Sequence, residues 1–527
     1  MKGLMQDVPL TLELILRRLE RGGGRGVVCG YSAEVVERGW AEVAERARRV
    51  GGALRALGIE PGASVATFAH NDLVHLELLL GVPAAGRVLC PVNIRLHEDD
   101  IAYVVARADA PALFVAASLT PVLAELRERL EGVERFVVID DGPPAHQAFE
   151  ADARYEQLIA DAVPERCSVG EDEAALVCFT SGTTGRPRGV VATHRSTVLH
   201  ALQGLAADSF GVHSGDVVLP VTPIYHAAAW GLPLSAGWCS AGLALASGDS
   251  SPSHLADLIA RAGVTLAAGV PTIWVGLSEL LHERAADLAT LTDVISGGSS
   301  VPPSLIARFA RAGVRLRQGW GMTELSPSGA MSRRGGPDAD AGVGRPVPGI
   351  ELRLCDEAGR ELDWDGASVG ELQVRGPWVA SAYLRPDDDA NTRRFDRGWL
   401  RTGDLATITP AGEVRIVDRV KDLIKSGGEW IPSLRLERAL ADHPAVAEAA
   451  VVAVPDERWG ERPLAVVVVE DGCGVAADEL RAHLAARVAR WWLPDRFEFR
   501  EQLPRTRTGK LDKRALRGEF AAAARAH

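Results

Sequence analysis

Apolar positions in the first part of the chain recur at helical spacing over some stretches and run together over others. Glu42 to Leu57 places its apolar residues on one helical face, and Ser64 to Phe68 is a short apolar run. Leu73 to Leu80 returns to the helical pattern and Val88 to Val92 runs apolar again. Helices alternating with short apolar runs predict βαβ units, in which parallel strands are covered by helices. Leu258 to Val270 (LIARAGVTLAAGV) and Leu305 to Gly321 (LIARFARAGVRLRQGWG) repeat one scheme of helix, glycine at the helix end, then strand. Ligands in such folds gather at the carboxyl ends of strands. No internal repeat of fixed period is present.

The pattern changes from Gly349 to Val417, where β-rich runs such as IELRLCD and GELQVRG sit between Gly and Asp turns, as expected of a small β subdomain. Beyond Asp418 the chain carries its own strands (Ala449 to Val454, Leu464 to Val469) and helices (Ser433 to Ala441, Ala477 to Val488), enough for a small α+β domain. The fold class expected is therefore α/β: a large N-terminal domain over 1–417, with its β subdomain at about 349–417, and a C-terminal α+β domain over 422–527. A length of 527 residues, more than one core supports, agrees with that division.

The N-terminal stretch interrupts its apolar residues with Glu13, Arg17, Arg18 and Glu20, so it reads as a short amphipathic helix and lacks the apolar centre of a secretory signal. Ala227 to Ala246 is uncharged over 20 residues, the length of a membrane span, but holds Gly231, Pro233, Gly237 and Gly242; buried core is expected there. With 58 Lys+Arg against 70 Asp+Glu, a net charge of -12 argues against nucleic acid as a partner. The 7 cysteines show no paired short spacing, so neither a zinc site nor a disulfide framework is expected and a reducing cytoplasm fits.

Candidate chemistry begins at LVCFTSGTTGRPRGV (Leu176 to Val190). An apolar strand enters a loop of Thr180, Ser181, Gly182, Thr183, Thr184 and Gly185, followed by the cations Arg186 and Arg188. Glycines let backbone N–H groups converge on an anion, hydroxyls add donors, and a cation neutralises phosphate charge. The loop does not match the GxxxxGK[ST] pattern of P-loop nucleotidases. On composition alone a phosphate cradle and a polar surface loop are equally good readings.

TSGTTGRPRGV resembles the signature loop of the adenylate-forming superfamily, which includes acyl-CoA synthetases, peptide-synthetase adenylation domains and beetle luciferases. GWGMTE (Gly319 to Glu324), RTGDL (Arg401 to Leu405), DRVKDLIKSGGEW (Asp418 to Trp430) and PRTRTGKLDKR (Pro504 to Arg514) resemble the family's further signatures and follow in its order. The resemblance covers nearly the whole chain and implies a mobile C-terminal domain with a hinge at 418–421. It implies that Thr180 and Glu324 hold Mg2+ on ATP, that Thr323 contacts phosphate, and that Asp404 accepts both ribose hydroxyls. Trp320, with Gln318, Gly319, Gly321 and Gly298 and Ser299 of ISGGSS (Ile295 to Ser300), would border the nucleotide and acyl group. Arg419, Lys425 and Trp430 would complete the nucleotide contacts. Lys421 would be the pivot, and Gly427 and Gly428 would border the coenzyme A channel. Lys510 would be the catalytic cation that bridges carboxylate and phosphate during adenylation, a role its composition alone would not distinguish from a surface lysine.

The implied activity has two steps: a carboxylic acid and MgATP give acyl-AMP and pyrophosphate, then the thiol of coenzyme A displaces AMP. The sequence departs from the family at Arg188, where Lys is usual; a planar fork replaces a point charge, which puts phosphate geometry in question. PIYHAAAWGLPL (Pro223 to Leu234) resembles the acid pocket of medium- and long-chain fatty acyl-CoA synthetases, with His226 at the aromatic-gate position and Trp230 at that of the tunnel gate. A linear tunnel and a broader slot for an aryl acid both remain open. So do a carrier-protein thiol or an amine as second nucleophile, and a non-catalytic nucleotide- or acyl-binding sensor. A homodimer is a family-level expectation.

Overall fold

The computed structural model describes residues 6–30, 35–142, 145–147, 149–180, 186–333, 342–385, 390–427, 429–470, 472–505 and 511–525. Among these, a seven-stranded sheet runs in the order Ala153–Arg154, Arg135–Ile139, Ala112–Ala116, Ser64–Phe68, Val88–Pro91, Ala174–Phe179, Gly189–Thr193. Every neighbouring pair in it is parallel except the last. A nine-stranded sheet is parallel through its centre, where Arg315–Trp320, Asp293–Ser296, Leu266–Gly269, Val217–Pro220 and Gly242–Leu245 lie side by side.

The helices between these sheets follow from the sequence pattern. Leu73–Ala84 is buried along its whole length, as expected of a helix that is apolar all round. Its one carboxylate, Glu77, is satisfied by Arg38 Nη1, Arg46 Nε and the Tyr155 hydroxyl, each at 2.7 Å, which keeps a buried charge paired. Trp40–Ala56 packs beside it, and Leu79, Leu89 and Leu243 belong to one core that reaches both sheets. Asn71, in the turn that leads into Leu73–Ala84, donates to the carbonyls of Pro220 and Thr222 at 3.1 and 3.0 Å and accepts from the Ile224 amide at 2.8 Å.

Both helix–glycine–strand units form as expected. Pro252–Ala262 ends at Gly263 (φ 66) before Leu266–Gly269, and Pro303–Arg311 is followed by Gly313 and the strand Arg315–Trp320. The uncharged Ala227 to Ala246 stretch resolves into a short turn, the helix Leu232–Cys239 and the central strand Gly242–Leu245, which is buried throughout. Among the described residues no helix is long and apolar enough to cross a membrane. The N-terminal helix is Glu13–Glu20, and it buries Ile15, Leu16 and Leu19.

Strands from Glu351 to Arg419 form a six-stranded antiparallel sheet. Past it, Glu429–Ile431, Ile424–Ser426, Gly460–Val469 and Val446–Asp456 form a separate sheet joined by Arg496–Phe499, with the helices Ser433–Ala441 and Ala477–Ala485 packed on a core of their own.

Candidate active site

The carboxyl ends of the central strands converge on a cavity of about 180 Å³. Trp320 and Gly319 enter from the end of Arg315–Trp320, Ile295 and Gly298 from the neighbouring strand and its loop, and Val221 and Thr222 from the end of Val217–Pro220. Phe210, Val270 and Ile273 give it apolar walls. His226, Trp230, Gly321 and Thr323 also line it.

One wall has an unusual backbone. Ala227, Ala228, Ala229 and Trp230 have φ of 42°, 48°, 53° and 58°, and Gly231 follows at 71°. This is a left-handed turn built from residues with side chains, a conformation that costs about 1–2 kcal/mol per residue. It ends where only glycine fits, because a Cβ at Gly231 would stand 2.5 Å from His200 Nδ1. The turn carries Trp230 against Gly297, whose added Cβ would meet the indole at 3.1 Å. His226 stacks edge-on with Tyr225 at 4.9 Å between ring centroids.

The Gly/Thr-rich signature joins two antiparallel strands, Ala174–Phe179 and Gly189–Thr193. Its base is closed by the Thr180 amide donating to the Arg188 carbonyl at 2.9 Å and the Arg188 amide donating to Thr180 Oγ1 at 3.1 Å. Ser181, Gly182, Thr183, Thr184 and Gly185 lie outside the described residues. Arg186 lies over the Tyr103 ring and Arg188 over the Tyr383 ring, at 5.0 and 5.3 Å.

Glu324 is buried in the turn Thr323–Leu325 and makes no ion pair among the described residues. The Tyr383 hydroxyl donates to its Oε1 at 2.6 Å. Burial first, and then the Glu324 carboxylate, push the Tyr383 phenol up to about 12, so it remains a donor. Tyr383 carries no sequence signal: it stands in SAYLRP, outside any glycine-rich loop, 59 positions from Glu324. Asn71 was also missed, although its place just after a parallel strand could have marked it.

Asp404 is buried on Trp399–Ile408 and held from two sides. Trp320 Nε1 donates to Oδ2 at 2.8 Å, and Arg419, its register partner on the next strand, approaches Oδ1 at 3.2 Å. Trp320 thus joins the cavity to the β sheet. Gln318 is fixed through its amide to Ser332 Oγ at 2.7 Å. Ser299 is exposed beside Gly298, and Arg438 of the C-terminal helix Ser433–Ala441 donates to Ser300 Oγ at 3.3 Å.

The remaining candidates lie apart from the cavity wall. Lys425 and Trp430 pair across an antiparallel register, with the ammonium 5.2 Å from the ring centroid, and Trp430 is exposed. Lys421 lies between strands and is exposed as a residue; partial desolvation of its ammonium, followed by the nearby Arg419 charge, lowers its pKa. Gly427 has φ 60 and donates to the Trp459 carbonyl at 2.8 Å; a Cβ there would meet the Trp459 ring at 2.8 Å. Gly428 and Lys510 lie outside the described residues. No disulfide joins any of the seven cysteines, and Cys29, Cys90, Cys178 and Cys355 are buried; burial raises the Cys90 and Cys178 thiols, the opposite of activation.

A two-sheet α/β body whose strand ends carry an indole hydrogen-bonded to a buried carboxylate suits an enzyme that handles a nucleotide. A family model described as AMP-binding enzyme matches residues 19–384 and its C-terminal domain model matches 435–510; the chain belongs to the AMP-binding enzyme family. It is 42% identical to a long-chain-fatty-acid–CoA ligase of Thermus thermophilus over 98% of this chain and 96% of that one. It is 39% identical to a 3-methylmercaptopropionyl-CoA ligase of Ruegeria pomeroyi, over 99% of both chains. Its fold superposes on the crystal structure of an anthranilate CoA ligase in complex with anthranoyl-AMP with a TM-score of 0.88 at 24% identity, covering 99% of this chain and 100% of that one.

Proposed function

We propose that this AMP-forming acid–thiol ligase activates a medium- or long-chain fatty acid and transfers it to coenzyme A. The observation that carries this reading is the cavity itself, which sets the apolar walls of Phe210, Val270 and Ile273 beside the Trp320–Asp404 pair. An acyl chain has an apolar compartment, and its carboxylate then faces the nucleotide. The long-chain-fatty-acid–CoA ligase supports the substrate class.

In the first step a carboxylate oxygen attacks the α-phosphate, the bond to the β-phosphate breaks and pyrophosphate leaves. Two anions must meet in line, so the chain's task is electrostatic. Lys510 bridges the carboxylate and α-phosphate. Thr180 to Gly185 and Arg188 cradle the other phosphates, with Thr323 donating to them. Asp404 accepts the ribose hydroxyls on the lone pairs that Trp320 and Arg419 leave open, since each carboxylate oxygen has two. Gly298, Ser299, Gln318, Gly319, Trp320 and Gly321 border the adenine, and Arg419, Lys425 and Trp430 close over the nucleotide.

Glu324 is a buried carboxylate without a cation partner among the described residues, and with the Thr180 hydroxyl it offers hard oxygen donors. No cluster of three His, Cys, Asp or Glu forms there among the described residues. That sparse donor set fits Mg2+, which keeps several waters and is held largely by substrate phosphates. When bound, the ion would neutralise phosphate charge.

In the second step the coenzyme A sulfur attacks the acyl carbon, AMP leaves and the thiol proton passes to solvent. No protein nucleophile is required. Rotation of 422–527 about Lys421, within the hinge 418–421, withdraws Lys510 and brings Gly427 and Gly428 to the pantetheine path, so one cleft serves two reactions.

Purified protein incubated with MgATP and a panel of fatty, short thioether and aryl acids, with and without coenzyme A, tests this by mass spectrometry. AMP and an acyl-CoA are expected from medium- or long-chain fatty acids, and neither from Lys510→Ala. AMP and a stable product formed equally without coenzyme A would replace the thiol with another nucleophile. Turnover confined to aryl acids would overturn the acyl assignment.

A further inference from the structure

Two of the signatures that the proposed function uses are far apart in sequence, yet one short segment fastens both. The Ala380 amide donates to the Glu324 carbonyl at 2.9 Å, and the Leu384 amide donates to the Gly189 carbonyl at 2.8 Å. Between those two anchors, Tyr383 gives its hydroxyl to Glu324 Oε1 at 2.6 Å and receives the Arg188 guanidinium over its ring at 5.3 Å. The ring is itself fixed edge-on against Phe395 at 5.3 Å, and the Tyr383 amide donates to Asn391 Oδ1 at 3.1 Å. Packing therefore determines where the phenol oxygen points.

We infer that Tyr383 is a positioning residue for the phosphate end of the site, holding the Glu324 carboxylate through its hydroxyl and seating Arg188 on its ring. The inference rests on the reading of Glu324 as the carboxylate that meets Mg2+. Its physical content is registration. A carboxylate that binds a metal through one oxygen can have its other oxygen held, and the phenol holds Oε1. A planar guanidinium stacks on an aromatic face in a way that a compact ammonium does not. Arginine at position 188 therefore has a local reason to be there: Tyr383 gives its fork a fixed seat beside the phosphates. Were Tyr383 only core filling, phenylalanine would serve as well.

The test is nucleotide binding measured by calorimetry, with ATP in excess Mg2+ and with ATP in EDTA, on wild type, Tyr383→Phe, Arg188→Lys, the double variant and Glu324→Gln. Tyr383→Phe retains the ring, so its melting temperature should stay close to that of wild type. The Mg2+ concentration for half-maximal nucleotide binding should rise about tenfold, as for loss of one hydrogen bond to a charged group, with affinity in EDTA unchanged. Arg188→Lys should weaken binding under both conditions, and because Tyr383→Phe keeps the ring on which Arg188 sits, the double variant should lose about the sum of the two separate effects. Equal weakening of Tyr383→Phe with and without Mg2+, or no change in either, would overturn the role of Tyr383 provided Glu324→Gln still loses its Mg2+ dependence. If Glu324→Gln keeps the wild-type Mg2+ dependence, the reading of Glu324 itself is wrong and the inference falls with it.

Discussion

Asp404 and Trp320 are 84 positions apart, and each was singled out by its own signature. Their bond was not legible, because neither signature says which side chain meets the other. A hydrogen bond to an ionised acceptor contributes about 1.5–3 kcal/mol, so Trp320→Phe should raise the KM for ATP about tenfold while leaving the KM for the acid near its wild-type value. Steady-state kinetics with each substrate varied separately would show it, and a change in the acid term alone would contradict the assignment. Asp72 makes a second residue-level case. It caps the helix Leu73–Ala84 through the His75 amide at 2.7 Å, its Oδ2 is buried without a partner, and burial raises its carboxyl to about 7. The unfolded chain releases that proton near 3.8. Stability from this group is thus complete below about pH 4 and lost as pH rises through about 7. Asparagine caps equally well and does not titrate, so Asp72→Asn should gain roughly 2–3 kcal/mol over wild type on going from pH 5 to pH 8 in urea melts.

Periodicity located the elements well where burial dominates. Ser64–Phe68 and Ser433–Ala441 have the expected bounds, while the helix expected to end at Leu80 continues to Ala84 through Pro83, whose missing N–H tertiary packing tolerates. The strands that flank the signature loop were not legible as a hairpin: glycines and hydroxyls suggest a ligand for a loop, but the direction in which the chain leaves it is decided by the pairing of Gly189–Thr193 with Ala174–Phe179. Turn contacts across elements were invisible for the same reason. Asn71 fastens Pro220, Thr222 and Ile224, just ahead of His226. Asn71→Ala leaves those groups without their partner, so it should raise the KM for the acid severalfold with little change in that for ATP, as a two-substrate kinetic comparison would show.

At the scale of the whole molecule, the residues from Ile424 onward build a sheet and a core of their own. Lys421 lies between the two bodies, and proline there fixes φ near −65°. If the proposed rotation operates, Lys421→Pro should slow one half-reaction at least tenfold more than the other, measured as pyrophosphate exchange and as thioester formation from supplied acyl-AMP; equal slowing of both would count against it. The turn at Ala227–Trp230 has a different kind of consequence. Ordinarily glycine weakens a fold, but four consecutive side-chain-bearing residues at positive φ reverse that rule locally. Ala228→Gly should raise the melting temperature while blurring discrimination among acids, because a looser wall no longer fixes the indole of Trp230. Selection for heat resistance alone would therefore erode this enzyme's selectivity at that spot, and its alanines are the residues to protect in any such campaign.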